Sequence, residues 1–357
     1  MNPNCSEYNK VDEASTSTSV SMLLPKCNGH SLQESNDSSP SMFIDERFRI
    51  ISTLGKGNYG TVVLAEEKET KRRCAIKIIK KRELMLSSLG FKQVFNEKSI
   101  LQTAQFPFIV DFYGSFKSNS NLFLMLEFVQ GGDLFTHLRK MNRFSEDVAK
   151  FFAIQIVLAF EYLHQLDIIY RDLKPENILL DQHGYCKLAD FGMSKQLNNQ
   201  RTYTICGTWE YIAPEIIKNQ GYGTSIDWWM LGILLYDLCN GRTPFKAASL
   251  NELQQAILKG KYRMCQKFSA PLKSLIRQLL KTDCRKRIGC RGGDAREIKA
   301  HAWFNNINQR AVLQRRITSP FLPTIKDCDD MNNFDFYEET AISESSEIEL
   351  ENIFHDF

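Results

Sequence analysis

Tyr170-Arg171-Asp172-Leu173-Lys174-Pro175-Glu176-Asn177 is the stretch whose reading decides the fold. It follows the helix-period segment Val148 to His164 and precedes the apolar Ile178-Leu179-Leu180, so it is a polar loop pinned between buried elements. Loops held by flanking structure are where binding and catalysis concentrate. Asp172 can accept a proton from an attacking hydroxyl, Lys174 can neutralise charge on a group in transfer, and Asn177 offers a side-chain oxygen to Mg²⁺. Thirteen residues after Asn177 stands Asp190-Phe191-Gly192, whose carboxylate is a second hard ligand.

Upstream, Gly55-Lys56-Gly57-Asn58-Tyr59-Gly60-Thr61-Val62 fits GxGxxGxV, where absent side chains let backbone N–H groups approach phosphate oxygens. A dinucleotide-binding turn would enter a helix after the third glycine, but Thr61-Val62-Val63-Leu64 is β-branched and continues as a strand. Cys74-Ala75-Ile76-Lys77 sets a lysine in an apolar strand, and a buried ammonium needs an anion. Glu97, on a helix predicted over Gln93 to Gln102, supplies one and leaves Lys77 to hold the α- and β-phosphates of a nucleotide.

Around these motifs the chain falls into segments. Residues 1–42 are rich in Ser, Asn and Thr without an apolar period, which predicts a disordered leader. From Phe43 onward Phe48–Leu54, Thr61–Ala65, Cys74–Ile79 and Leu122–Phe128 read as strands of an antiparallel sheet. After Gly131-Gly132 the pattern is mainly helical, and the nearly all-apolar Asp227–Asn240 belongs in a core. Residues 327–357 hold eleven Asp or Glu and no Lys or Arg, and they end on aromatics. The net charge of +3 is too small, and its basic residues too dispersed, to suggest nucleic acid. Ten single cysteines without a CxxC pair indicate neither a zinc site nor a disulfide framework. No apolar run approaches the roughly 20 residues that cross a bilayer. With no signal-peptide core near Met1, the expected place is the cytoplasm or also the nucleus.

The order of glycine loop, Lys77, Glu97, Asp172, Asn177, Asp190 and Ala213-Pro214-Glu215 resembles the protein-kinase signature. The fold class this implies is α+β and bilobal. An antiparallel N-lobe with one main helix spans about 43–128, a mostly helical C-lobe about 129–304, and a C-terminal tail 305–357. Phe321-Leu322-Pro323, Asn333-Phe334-Asp335-Phe336-Tyr337-Glu338-Glu339 and Phe354-His355-Asp356-Phe357 resemble the tail of AGC-group kinases, most of all the cyclic-AMP-dependent catalytic subunits. The resemblance implies ATP and Mg²⁺ as cofactors, with Asn177 and Asp190 holding the metal. It assigns Leu54, Gly55, Gly57, Gly60, Val62, Ala75, Lys77, Glu97, Glu127, Val129, Asp133, Leu179 and Phe334 to the nucleotide, adenine meeting the backbone of Glu127 and Val129. It implies that Phe334 and Tyr337 close over the nucleotide, that Phe354 and Phe357 fill a small-lobe groove, and that Leu101, Phe112, Tyr170 and Phe191 stack between the lobes. It pairs His164 with Asp227 and Arg287 with Glu215.

The same resemblance makes Thr204 an activation-loop phosphorylation site read by Arg171 and Lys195, with Ser345 a second site. Asp133, Glu176 and Asp237 would read arginines before the target residue, Glu210 would also bind the substrate, and Ile205 and Ile212 would wall the residue after the target. The implied partners are protein substrates with basic motifs, an upstream kinase or the chain itself, and a cyclic-AMP-binding regulatory subunit. Gln93, Tyr203 and Trp209 depart from the relative's histidine, tryptophan and proline, which puts the regulator and the substrate range in doubt. The rival reading is a pseudokinase scaffold that binds nucleotide without turnover, against which stand the intact Lys77, Asp172, Asn177 and Asp190.

Overall fold

The computed structural model describes residues 46–57, 60–86, 90–327, 330–338, 351–355 and 357. The expected leader and Ser345 lie outside the described residues. β1 (Phe48–Gly57), β2 (Gly60–Glu67), β3 (Arg73–Lys80), β4 (Phe112–Lys117) and β5 (Asn121–Glu127) form one antiparallel sheet in the order β1-β2-β3-β5-β4. β3 is therefore paired on both edges, and its ladder places Lys77 between Val62 and Leu124. The β1–β2 pairing runs on through Gly55↔Val62 and Gly57↔Gly60, past the Leu54 limit that apolar content suggests, because glycine backbones pair as well as any. β4 escaped the sequence pattern because it is an edge strand, half-buried along its whole length.

α1 (Lys81–Met85) leads towards α2 (Gly90–Thr103), which buries Val94, Glu97, Ile100 and Leu101. A carboxylate on an otherwise apolar face is costly without a cation, and this one aims at the sheet.

The large lobe is built on α3 (Leu134–Met141), α4 (Glu146–Gln165), α5 (Pro214–Ile217), α6 (Ser225–Asn240), α7 (Leu250–Lys259) and α8 (Ala270–Leu279). Ser145 caps α4, its hydroxyl accepting from Val148 N. α6 is buried almost all round, as its all-apolar sequence requires. Gly232 lets α8 cross it closely, since a Cβ there would come within 2.8 Å of Leu279 Cβ. Two short antiparallel pairs, β6 (Ile168–Ile169) with β9 (Lys195–Gln196) and the hairpin of β7 (Ile178–Leu180) with β8 (Cys186–Leu188), bracket the loop that carries Asp172. Leu101, Tyr170 and Phe191 are buried, Phe112 is half-buried, and Tyr170 meets Phe191 edge-on at 5.3 Å.

The tail returns to the small lobe. Phe334 stacks on Phe128 at 5.7 Å. Phe354 is fully buried among Ile79, Leu84, Val94, Leu122 and Leu124, and Phe95 meets both Phe354 and Phe357. Lys117 Nζ donates to the carbonyls of Phe354 and His355 at 2.9 Å each, and Lys98 Nζ to that of Phe357 at 2.7 Å.

Deep in the large lobe, Arg287 donates to Glu215 through both terminal nitrogens, at 2.6 and 2.9 Å, and its side chain is 0 % exposed. Burial raises the Glu215 pKa, but the guanidinium outweighs it and holds the carboxyl below its ordinary value. Arg287→Met strands that carboxylate, and the expected cost is about 3–5 kcal/mol of folding stability at pH 7, read from urea midpoints. Glu215 ionisation stabilises above the unfolded carboxyl pKa and is lost as pH falls through the lower folded value, so the deficit of the variant shrinks in acid.

Candidate active site

Three chain segments meet at Lys77. Its Nζ lies 2.7 Å from Glu97 Oε1 and 3.1 Å from Asp190 Oδ1, so one ammonium ties β3 to α2 and to the loop after β8. Burial alone would lower the Lys77 pKa, yet Asp190 and Glu97 outweigh it and hold the ammonium well above its ordinary range. Glu97 is itself pushed up by burial, against the pull of Lys77. Asp190 is lowered, chiefly by Lys77, and its side chain is 51 % exposed to the cleft. It is thus an ionised carboxylate with a free side at neutral pH.

Asp172 faces it from the catalytic loop. Its Oδ2 accepts from Lys174 Nζ and from Asn177 Nδ2, each at 2.8 Å, and Asn177 Nδ2 also donates to the Asp172 carbonyl at 2.8 Å. Lys174 Nζ reaches Thr208 Oγ1 at 3.3 Å, linking this loop to the segment before Ala213. Asn177 spends its amide nitrogen on Asp172, which leaves its oxygen as the acceptor. Asn177 and Asp190 therefore offer two hard oxygens, a set too small for an all-protein cage and suited to Mg²⁺ that takes its remaining ligands from phosphates and water. No cluster of three or more His, Cys, Asp or Glu able to hold a metal occurs among the described residues.

Arg171 and Asp190 hold positive φ, 71° and 52°, in a region L-residues seldom occupy. The surroundings enforce both. Asp227 accepts from Tyr170 N at 3.0 Å and Arg171 N at 2.9 Å, and His164 Nε2 sits 2.9 Å from the same carboxylate. His164 Nδ1 lies 3.3 Å from Asp294 Oδ1, which also accepts from Trp228 Nε1 at 3.0 Å. Asp294 carries no motif, and its place behind the loop was not legible in sequence.

The three glycines of the loop differ. A Cβ on Gly55 would meet nothing within 4 Å and one on Gly57 only Gly60 O at 3.8 Å, so no packing demands glycine there and their bare backbones face open space. A Cβ on Gly60 would strike Ile78 O at 1.9 Å, so the third glycine serves the β2–β3 approach. Ala75, Val129 and Leu179 are apolar and at least half-buried, Leu54 and Val62 likewise, and Leu179 bridges to Asp133.

Residues 48–304 match the family model described as protein kinase domain. The chain belongs to the protein kinase family. It is 41 % identical over 299 residues to a Caenorhabditis elegans protein named cAMP-dependent protein kinase, catalytic subunit-like, covering 84 % of this chain and 74 % of that one. It is 40 % identical to the Drosophila melanogaster cAMP-dependent protein kinase catalytic subunit 2, covering 82 % and 83 %. The human cAMP-dependent protein kinase catalytic subunit PRKX is 38 % identical, covering 84 % and 83 %. The two-lobed architecture is that of this family, with its sheet lobe and helical lobe.

In this kinase Thr204 is half-buried, with Oγ1 3.5 Å from Thr202 Oγ1, and Thr202 in turn accepts from Lys195 Nζ at 3.1 Å. Arg171 donates to the carbonyls of Met193 and Ser194 and to Tyr222 OH, which donates to Thr204 O. Gln93 Oε1 is buried and has no hydrogen-bond partner among the described residues, while Asn96 Nδ2 donates to Ser194 O at 2.6 Å. Tyr203 lies exposed across Gly221, and Trp209 packs partly into the large-lobe core.

Among the substrate-reading candidates, Asp133 caps α3, accepting from Thr136 N at 2.8 Å and Thr136 Oγ1 at 3.0 Å. Asp237 accepts from Tyr211 OH at 2.7 Å. Burial first, then the like charges of Asp133 and Asp237, push the Glu176 carboxyl up. Glu210 is exposed and adds to the same negative field around Tyr211. Ile205 is 59 % exposed, but Ile212 is 1 % exposed. Ile212 follows the turn Trp209–Tyr211 and packs within the large-lobe core.

Burial would lower the His164 pKa, but Asp227 and Asp294 raise it to about 9. A raised folded value means the charged imidazole stabilises fully below the unfolded pKa of 6.5 and loses that contribution as pH climbs towards 9. Urea titrations are expected to show stability falling by on the order of 2–3 kcal/mol across that window in the native chain. His164→Gln removes the pH dependence.

Proposed function

We propose that this kinase is an ATP-dependent serine/threonine protein kinase directed to peptides with arginine upstream of the target residue. The observation that carries the reading is the junction of Lys77 with Glu97 and Asp190, set opposite an Asp172 already oriented by Lys174 and Asn177. ATP would be the donor, the backbone of Glu127 and Val129 and the side chain of Leu179 holding its adenine and the backbone at Gly55 and Gly57 its phosphates. Bound at Asn177 and Asp190, Mg²⁺ would neutralise phosphate charge. Lys77 holds the α- and β-phosphates, kept from swinging by its two carboxylates. Asp172 orients the incoming hydroxyl and accepts its proton, and Lys174 offsets charge that develops beside it. The stacking of Phe334 on Phe128, next to Val129, supports a tail that lies at the mouth of the adenine site.

Asp133 and Asp237 raise the cost of ionising Glu176, and a guanidinium would relieve it while adding bidentate hydrogen bonds. That supports basic substrates. A phosphate on Thr204 would bring roughly −1.5 to −2 charges to a place already flanked by Arg171 and Lys195. It would be added by an upstream kinase or by the chain itself. The names of the relatives, catalytic subunits of cAMP-dependent kinases, support a cyclic-AMP-binding regulatory subunit as a partner.

Asp172→Asn should lower turnover of an Arg-Arg-x-Ser peptide about 100-fold or more while ATP still binds, measured by phosphate incorporation and by calorimetry. A pseudokinase would show no turnover in either protein. Thr204→Ala should lower peptide turnover about tenfold or more. An array without preference for upstream arginine would remove the substrate reading and leave phosphoryl transfer standing.

A further inference from the structure

Lys187 lies on β8, three residues before Asp190, and carries no role in the chemistry above. Its side chain is 6 % exposed. The ammonium sits 2.7 Å from Glu127 Oε2 and 3.9 Å from Asp111 Oδ1, and donates to Ile109 O at 3.2 Å. Asp111 N donates to the same Glu127 oxygen at 3.2 Å, while Glu127 N donates to Asp111 O at 2.9 Å. The neighbouring residue, Leu188, donates to Phe108 O at 2.8 Å and accepts from Val110 N at 3.0 Å. On the other strand of the hairpin Lys187 is the register partner of Leu179, so the two side chains share one face of the ribbon.

A buried ammonium thus joins the end of β5, the loop entering β4 and the strand that leads to Asp190. We propose that Lys187 is a positioning residue for the nucleotide, locking the Glu127 side chain so that the hinge backbone stays at a fixed height above Leu179. The proposal rests on the hinge reading given under Proposed function. Without the ammonium, the Glu127 and Asp111 carboxylates face each other with like charge around a shared backbone bond, and the hinge moves away from its floor. Among the described residues no hydrogen bond or ion pair joins Lys187 to Asp172, Lys174 or Asn177, so the effect falls on nucleotide affinity more than on the transfer step.

The test uses the full chain with Lys187→Met, which keeps the stem and removes the charge, beside Lys187→Arg and the double variant Lys187→Met/Glu127→Gln. Peptide kinetics with varied ATP should give Lys187→Met a KM for ATP raised about tenfold with kcat within about threefold. Lys187→Arg should stay close to wild type, and the double variant should recover most of the affinity, because removing both charges leaves neither buried alone. A merely structural lysine would lower the melting temperature and scale kcat and KM without that split, which would overturn the proposal. If Lys187→Met does not fold, the double variant and Lys187→Arg still decide it, since equal loss of ATP affinity in both contradicts the charge lock. Binding of N6,N6-dimethyl-ATP to the wild type separates the two layers. Tighter binding of ATP with an unchanged KM in Lys187→Met overturns the lock alone, and equal binding of the two nucleotides overturns the hinge reading and the lock together.

Discussion

One ammonium between two carboxylates governs the arrangement. Lys77 belongs to the sheet, Glu97 to α2 and Asp190 to the loop beyond β8, so the two lobes and the helix are in register only when this junction is closed. Ion pairs withdrawn from water return little net stability. Their retention at this point is understood through function: the pair partner Glu97 is buried, while Asp190 keeps half its side chain open to the cleft. Counting Asp172 and Lys174, the site holds three carboxylates and two ammonium groups, a formal excess of one negative charge that a phosphate-bound cation would satisfy.

Strain is stored beside that junction. Arg171 and Asp190 sit at positive φ, and each is held by more bonds than a loop residue needs, through Asp227 on one side and Lys77 on the other. Asp227 descends from α6, the most completely buried helix of the large lobe, and is backed by His164 and Asp294. The catalytic carboxylates are thereby positioned from the core outward, and the apolar packing of α6 is what makes an unusual backbone at Arg171 affordable.

Much of this was legible in the sequence, because the chemistry depends on residue types at spacings that chance seldom assembles. Lys77 had to find an anion, and Glu97 stood one helix away. The apolar Asp227–Asn240 run had to be core. Other features have no linear signature. Asp294 reaches His164 across the large lobe from a Gly-Gly-Asp turn, and Lys187 reaches Glu127 from another strand. β4 hid because an edge strand half-buried throughout shows no alternation.

The central claim is that the Lys77 junction organises phosphoryl transfer and does not merely hold the lobes together. Its most direct test is transfer of ³²P from ATP to a basic serine peptide by wild type and Lys77→Met, with melting temperatures measured alongside. The account predicts transfer by the wild type and a loss of about 100-fold or more in the variant at a temperature where both proteins are folded, although stranding the buried Glu97 carboxylate lowers the melting temperature of the variant. Equal rates in the two proteins, or a loss that only follows unfolding, would contradict it.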